Sequence, residues 1–391
     1  MDPVRNPFAP GAGAPPPEFV GREEVLEEAD VALKRLMLGR SAKSRMLLGL
    51  RGTGKTVLLN FIADMAREQG YHVVKIEAPE TGHLPKMLFP RLQRVLRRLS
   101  ASEAAKALAY EAMRALRSFG AVFKLEGAGV SLSVDPDPGV ADSGQLDLDL
   151  PDLFGAIGRA AKADGKGFAV LIDEVQYLNE TELGAVITAL HHTNQNKLPV
   201  LFFGAGLPQV AGLSGDAKSY AERLFQFHEI GALNREQAMK AIGDPIADEG
   251  ESITEHALQV IAGMTEGYPY FLQEWGFQAW NVADNSPIDL ENIAEASRKA
   301  LQRLDESFFR VRMDRLTPME REYVFAMGRM PGDGPYKTGD IAKELGETSS
   351  RLGPRRHAII KKGMIYSPAY GVIDFTVPGF KDYLWRSGNL V

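Results

Sequence analysis

The 391 residues include no cysteine and carry a formal net charge of −6. Disulfides, thiolate zinc sites and a cysteine nucleophile are therefore excluded, and nucleic-acid binding over the whole surface is disfavoured. With 45% hydrophobic and 25% charged residues, no apolar run near the ~18 residues of a membrane span and no signal peptide, a cytoplasmic globular protein of two or three domains is expected, without a membrane partner.

Residues 1–17 hold six prolines and no periodicity, so a flexible tail is expected. Val25, Leu26, Ala29, Leu33 and Leu36 then recur at helical spacing over 23–38. Residues 45–49 form a buried strand, followed by a glycine loop, a helix over 56–69 and a strand over 71–76. Residues 79–150 interrupt the pattern and are read as an insertion on the core. It has helices over 85–99 and 102–118, an exposed strand at Val130–Val134, and an acidic run over 135–149 expected as a solvated hairpin. Strands over 168–173, 200–204 and 225–230 resume around a helix at 180–193, and this alternation predicts a parallel sheet covered on both faces. Four helices follow over 235–248, 254–265, 269–283 and 289–315. The domains predicted are thus an α/β core (18–232), an all-α lid (233–315) and a C-terminal domain (316–391).

Two motifs carry the chemistry. Gly49-Leu50-Arg51-Gly52-Thr53-Gly54-Lys55-Thr56 satisfies the phosphate-loop pattern G-x-x-x-x-G-K-[ST]. Small residues let backbone N–H groups wrap a phosphate, and the following helix aims its positive end at the same anion. Lys55 is expected on the β/γ oxygens and Thr56 on Mg²⁺; Arg51, Gly52, Thr53, Gly54 and Val57 complete the cradle. The second motif is the apolar run Phe168–Ile172 ending in Asp173-Glu174. Asp173 is expected to hold Mg²⁺ through water and Glu174 to polarise the attacking water, which implies ATP hydrolysis rather than binding alone.

On these motifs the chain resembles the AAA+ P-loop ATPases, initiator-type proteins in particular. Phe19-Val20-Gly21-Arg22 looks like the leading segment that lays its backbone against adenine in that family, which implies nucleotide contacts for Val20 and Gly21. The family's polar γ-phosphate sensor is missing from Leu201–Gln209, where Gln209 is a possible substitute and an ordinary loop residue is the bland alternative. Arg223 sits where the family carries a trans-acting arginine, which implies a homo-oligomer; a solvated arginine is the alternative. The lid departs from the pattern. Its Gly267-Tyr268-Pro269 resembles the segment with which STAND-type signalling ATPases press a proline, here Pro269, on the adenine ring.

The C-terminal end is basic: Arg315–Val391 holds 12 Lys/Arg against 8 Asp/Glu, a net +4 that leaves −10 on the rest. Thr317-Pro318-Met319-Glu320 is a helix-starting capping box. A second short helix, a basic third and a strand pair follow, an order that resembles a winged helix-turn-helix. In such a domain Arg351, Arg355, Arg356, Lys361 and Lys362 of the third helix would meet double-stranded DNA. Pro354 is awkward there, since it shortens or bends the helix. Two functions follow: a DNA-associated AAA+-like switch driven by ATP and Mg²⁺, or a STAND-like signalling ATPase whose C-terminal domain and insertion bind proteins.

Overall fold

The computed structural model describes residues 1–11, 16–80, 82–125, 135–136 and 138–388. The chain divides into two compact units, one made of Glu23–Leu48 and Leu58–Glu229, the other of Met1–Arg22, Gly49–Val57 and Ile230–Val391.

The first unit is an α/β sheet layer. Its elements run α1 (Glu23–Met37), β1 (Ser44–Leu48), α2 (Lys55–Glu68, begun in the glycine loop), β2 (Tyr71–Glu77), α3 (Leu84–Leu99), α4 (Lys106–Val122) and α5 (Leu146–Ala163). Then come β3 (Gly167–Asp173), α6 (Glu180–Gln195), β4 (Val200–Gly206), α7 (Val210–Ala217), α8 (Ala221–Leu224) and β5 (Phe225–Glu229). The five strands form one parallel sheet in the order β2-β3-β4-β1-β5, flanked by helices as expected. Every residue of β1, β3 and β4 is buried, which is why these strands read as continuous apolar runs rather than alternating ones.

Two expectations change here. The 79–150 segment does not ride on the core but builds it: Leu88, Leu92, Leu96, Leu116, Phe119 and Leu153 are buried in one cluster with Val170, Ile172 and Phe202 of the sheet. The acidic run is not a solvated hairpin over its second half. Leu146, Leu150 and Leu153 bury one face of α5, a helical spacing that the Leu-Asp alternation disguises. Asp149 is 1% exposed and accepts hydrogen bonds from Ser143 N (3.0 Å), Ser143 Oγ (2.7 Å) and Gly144 N (2.9 Å), so it closes the turn entering that helix. The expected strand at Val130–Val134 lies outside the described residues.

The second unit opens with α9 (Arg235–Asp248), α10 (Glu255–Thr265), α11 (Pro269–Val282) and α12 (Leu290–Arg303). Capping boxes Asn234/Gln237 and Asp289/Asn292 start α9 and α12. The helix expected over 289–315 is broken by a π turn at Leu304–Phe309 before α13 (Arg310–Asp314). The wider turn lets consecutive Phe308 and Phe309 both turn inward. Beyond lie α14 (Pro318–Arg329), β6 (Tyr336–Lys337), α15 (Thr338–Glu344), α16 (Ser349–Lys361), β7 (Ile365–Tyr366), β8 (Val372–Phe375) and α17 (Phe380–Arg386). The antiparallel sheet β6-β8-β7 has one strand more than the expected pair, and α17 was not expected.

The flexible tail also needs correction over residues 1–10. Phe8 is buried at 2% exposure against Gly276, where a Cβ would lie 2.7 Å from the ring. Asn6 Nδ2 donates to Phe277 O (3.1 Å), Trp280 Nε1 donates to Asp2 O (2.8 Å), and Arg5 pairs with Glu249 at 3.0 Å. Proline-rich composition missed this because one aromatic anchor and a few bonds are enough to dock a short segment.

Inside this unit Glu274 is buried, with Gln278 Nε2 donating to it at 2.8 Å and Arg303 at 3.6 Å. Burial raises its pKa above the ordinary 4.5, against the lowering by Gln278 and Arg303. A carboxyl whose pKa is raised by folding contributes stability that is full below its unfolded value and is lost as pH rises through the folded one. Glu274→Gln, a neutral isostere that keeps an acceptor, should therefore melt higher than the parent at pH 7. Below pH ~4.5 the gain should vanish, and melting curves at both pH values check the sign.

Candidate nucleotide site

The glycine loop follows directly on Leu48, the last residue of β1. Gly52 and Gly54 take left-handed φ values of 87° and 89°, a conformation open to glycine without cost. Gly49 is required for a different reason: a Cβ there would stand 2.1 Å from Ile230 O. Thr53 is 2% exposed and its Oγ1 donates to Leu50 O at 2.9 Å; Lys55 Nζ donates to the same carbonyl at 2.6 Å. Lys55, Thr56 and Val57 begin α2, so the helix N-terminus opens on this loop.

The loop is also tied to the rest of its unit. Tyr270 N donates to Gly52 O at 3.2 Å, just beyond Pro269 at the first position of α11. Arg51 N donates to Thr376 O at 3.3 Å, and the Arg51 guanidinium lies where a Cβ on Gly363 would meet it. Val20 is buried in the same apolar cluster as Leu233, Ala238 and Ile242. Gly21, with φ 73°, gives way to the Gln237 side chain, and Arg22 Nη2 donates to Thr53 O at 3.4 Å. The loop and the leading segment predicted with it are thus brought together, and Arg22 joins them unforeseen.

The like charges of Arg312 and the loop's Arg51 act on each other. Arg312 lies over the Phe308 ring at 3.7 Å and donates to Phe308 O at 2.9 Å. Burial first, and then the like charge of Arg51, lower its pKa to about 10. Tyr268, 2% exposed, keeps its hydroxyl without a hydrogen-bond partner, and burial raises its pKa. A Cβ on Gly52 would lie 3.1 Å from that hydroxyl. A buried hydroxyl donor left unspent favours an incoming acceptor. No local pattern marks Arg312, since it is 261 residues from Arg51.

In the sheet unit, Asp173 ends β3 at 5% exposure, and its Oδ1 accepts from Glu174 N at 2.9 Å. Glu174 holds φ 54°, a left-handed value uncommon outside glycine and frequent at functional positions. Gln176 Nε2 donates to Glu174 Oε2, and Gln176 Oε1 accepts from Leu207 N at 3.1 Å. Gln209 Oε1, the amide oxygen of the possible sensor, is buried without a hydrogen-bond partner among the described residues. Arg223 is exposed on α8 and makes no ion pair among the described residues.

The basic helix looks different from its expectation. Arg355 pairs with Glu322 (3.4 Å) at 14% side-chain exposure, and Lys362 donates to Glu320 (2.6 Å) and to Arg315 O (2.9 Å). Arg356 is half-buried. Arg351 pairs with Glu347 at 3.2 Å but stays 77% exposed, and Lys361 is exposed. Of the five cations expected on DNA, Arg355 and Lys362 are therefore held in shielded contacts within the chain, whereas Arg351 and Lys361 face solvent.

Residues 18–203 match the family model of the AAA ATPase domain, and residues 306–384 match a domain of unknown function. The chain is 23% identical over 376 residues to an uncharacterized HTH-type transcriptional regulator of Methanocaldococcus jannaschii, covering 90% of this chain and 85% of that protein. It is similar in fold to a Walker-type ATPase of Pyrococcus abyssi, with a TM-score of 0.56, 15% identity, and 94% and 96% of the two chains covered. No helix among the described residues is long and apolar enough to cross a membrane. The stretch holding both the glycine loop and Asp173-Glu174 thus lies inside the part of the chain that matches the AAA ATPase domain.

Proposed function

We propose that this protein is a cytoplasmic ATP-binding and ATP-hydrolysing switch whose C-terminal domain is a winged helix that contacts double-stranded DNA. One observation carries the switching part: the phosphate loop is bonded at Gly52 to Tyr270 of the lid and at Arg51 to Thr376 of the C-terminal domain. A loop that must close on a phosphate cannot move without disturbing both bonds, so nucleotide state and C-terminal arrangement are coupled.

The residues fit the groups they would hold. The Cβ-free Gly52 and Gly54 and the unspent Tyr268 hydroxyl leave a polar cradle for phosphate oxygens. Lys55 would exchange the Leu50 carbonyl for the β/γ-phosphates. The hydroxyl of Thr56 and carboxylate of Asp173 are hard oxygen donors of the kind Mg²⁺ takes. Bound there, Mg²⁺ would neutralise charge on the phosphates. Glu174 accepts a proton from the attacking water, Val20, Gly21 and Pro269 hold the base, and Arg223 of a neighbouring copy reaches the γ-phosphate.

The winged-helix reading rests on the order helix, strand, two helices and strand pair from α14 to β8. The DNA reading rests on the net positive charge of this end and on the HTH-type relative. The internal pairing of Arg355 and Lys362 favours a second reading, in which this domain is a clamp or a protein-binding surface. ATPase turnover and duplex binding, measured at two salt concentrations, separate the two. Duplex affinity should fall with salt, and Arg351→Glu with Lys361→Glu should lower the logarithmic salt slope by about 1 per lost phosphate contact. Binding indifferent both to salt and to these substitutions would leave the protein-binding switch standing.

A further inference from the structure

We propose that Gln176 is a positioning residue for hydrolysis, holding the Glu174 carboxylate and linking it to the end of β4. It rests on the hydrolytic role proposed for Glu174. The link is a single side chain bonded at both ends: its amide nitrogen donates to Glu174 Oε2, and its amide oxygen accepts from Leu207 N at 3.1 Å. The orientation of the amide is fixed by its partners, because a carboxylate only accepts and a backbone N–H only donates.

The surroundings are shaped for this bridge. Gly206 ends β4, and a Cβ there would lie 2.8 Å from Gln176 Oε1 and 2.8 Å from Val210 Cγ2. Gln176 occupies the middle of the short turn Val175–Tyr177, which Tyr177 N closes onto Glu174 O at 2.9 Å. The left-handed backbone of Glu174 and the turn after it thus fold the glutamine back over the carboxylate. Leu201–Gln209 holds no Asn or Thr, and Gln209 Oε1 has no hydrogen-bond partner among the described residues. The connection between the end of β4 and the base runs through the Leu207 N–H and Gln176 instead. A shift at Leu207 is passed to the carboxylate through one rigid amide.

The test uses the full chain. Gln176→Met removes both bonds at similar volume, whereas Gln176→Glu keeps an acceptor for Leu207 N and sets a second carboxyl against Glu174. For Gln176→Met, kcat should fall about tenfold to a hundredfold with KM for ATP changed less than about twofold, since orientation rather than binding is lost. For Gln176→Glu, the paired carboxyls should share a proton, so a new acidic limb appears in the pH profile of kcat and the rate recovers as pH rises. A glutamine whose side chain stands away from the Glu174 carboxylate produces no such limb. Should Gln176→Met fail to fold, the pH profile of Gln176→Glu decides alone. Parental kcat in the first variant or a parental pH profile in the second overturns the role of Gln176. Glu174→Gln, assayed alongside, separates the failures: if it hydrolyses ATP like the parent, the role of Glu174 falls and that of Gln176 with it. If it is inactive while both Gln176 variants behave as the parent, only the positioning role falls.

Discussion

Glu174→Gln is expected to bind ATP as the parent does and to hydrolyse it at least about 100-fold more slowly, the usual contribution of a placed general base. The substitution changes no volume and leaves a side-chain oxygen for Gln176 to bond, so the turn Val175–Tyr177 has no reason to move. What disappears is the capacity to take a proton from water. The backbone makes the case stronger than the side chain alone. A left-handed glutamate costs about 1–2 kcal/mol relative to an ordinary conformation, and φ is 54° here. That cost is offset locally by Glu174 N donating to Asp173 Oδ1 and by Tyr177 N donating to Glu174 O, both at 2.9 Å. Such an arrangement aims a carboxylate rather than simply ending a strand. Steady-state phosphate release, paired with equilibrium ATP binding, is the measurement. Unchanged turnover would remove the base; lost binding would instead make Glu174 structural.

The second large effect is expected at Gly49. Gly49→Ala should lower stability by about 3 kcal/mol, the upper end of ordinary overpacking. At about 2–4 °C per kcal/mol for a unit of this size, the midpoint should drop by about 6–12 °C. The obstacle is backbone: the new Cβ would stand 2.1 Å from Ile230 O and 2.9 Å from Thr53 Oγ1. A side chain in the way can change rotamer, but a carbonyl moves only with its chain, and the phosphate loop moves with it. ATP affinity should fall alongside stability. Gly39→Ala is the comparison, with a left-handed φ of 70° and nothing within 4 Å of the new Cβ. It carries only the backbone penalty of about 1–2 kcal/mol. Equal midpoints for the two variants would refute the steric account of Gly49.

Several interactions that organise this protein were invisible in the chain's local patterns. Phe8 looked like part of a loose tail until Gly276, 268 residues later, offered it a slot. The Leu146–Leu150 alternation resembles a strand, yet the partners waiting for Leu150 and Leu153 in the core select a helix. The basic helix α16 looked like a row of free cations, but Glu320 and Glu322, on a helix about 30 to 40 residues earlier, hold Lys362 and Arg355. In each case the deciding partner is distant in sequence, so no window of ten or fifteen residues contains it.

The glycine loop belongs to the other class. Its spacing of Gly49, Gly54, Lys55 and Thr56 was legible because a phosphate is met by consecutive backbone N–H groups and a helix start, all local demands. The buried strands ending at Leu48 and Asp173, and the capping boxes at Asn234, Asp289 and Thr317, were legible for the same reason. Sequence by itself therefore determined the parallel strands of the sheet and the glycine-loop motif that falls within the match to the AAA ATPase domain. Tertiary structure alone decided why Gly49 admits no Cβ, that Arg51 and Gly52 are bonded to Thr376 and Tyr270, and that Gln176 holds Glu174 from the end of β4. Local backbone chemistry leaves its mark in consecutive residues, whereas a long-range hydrogen bond or steric limit exists only once the chain has folded.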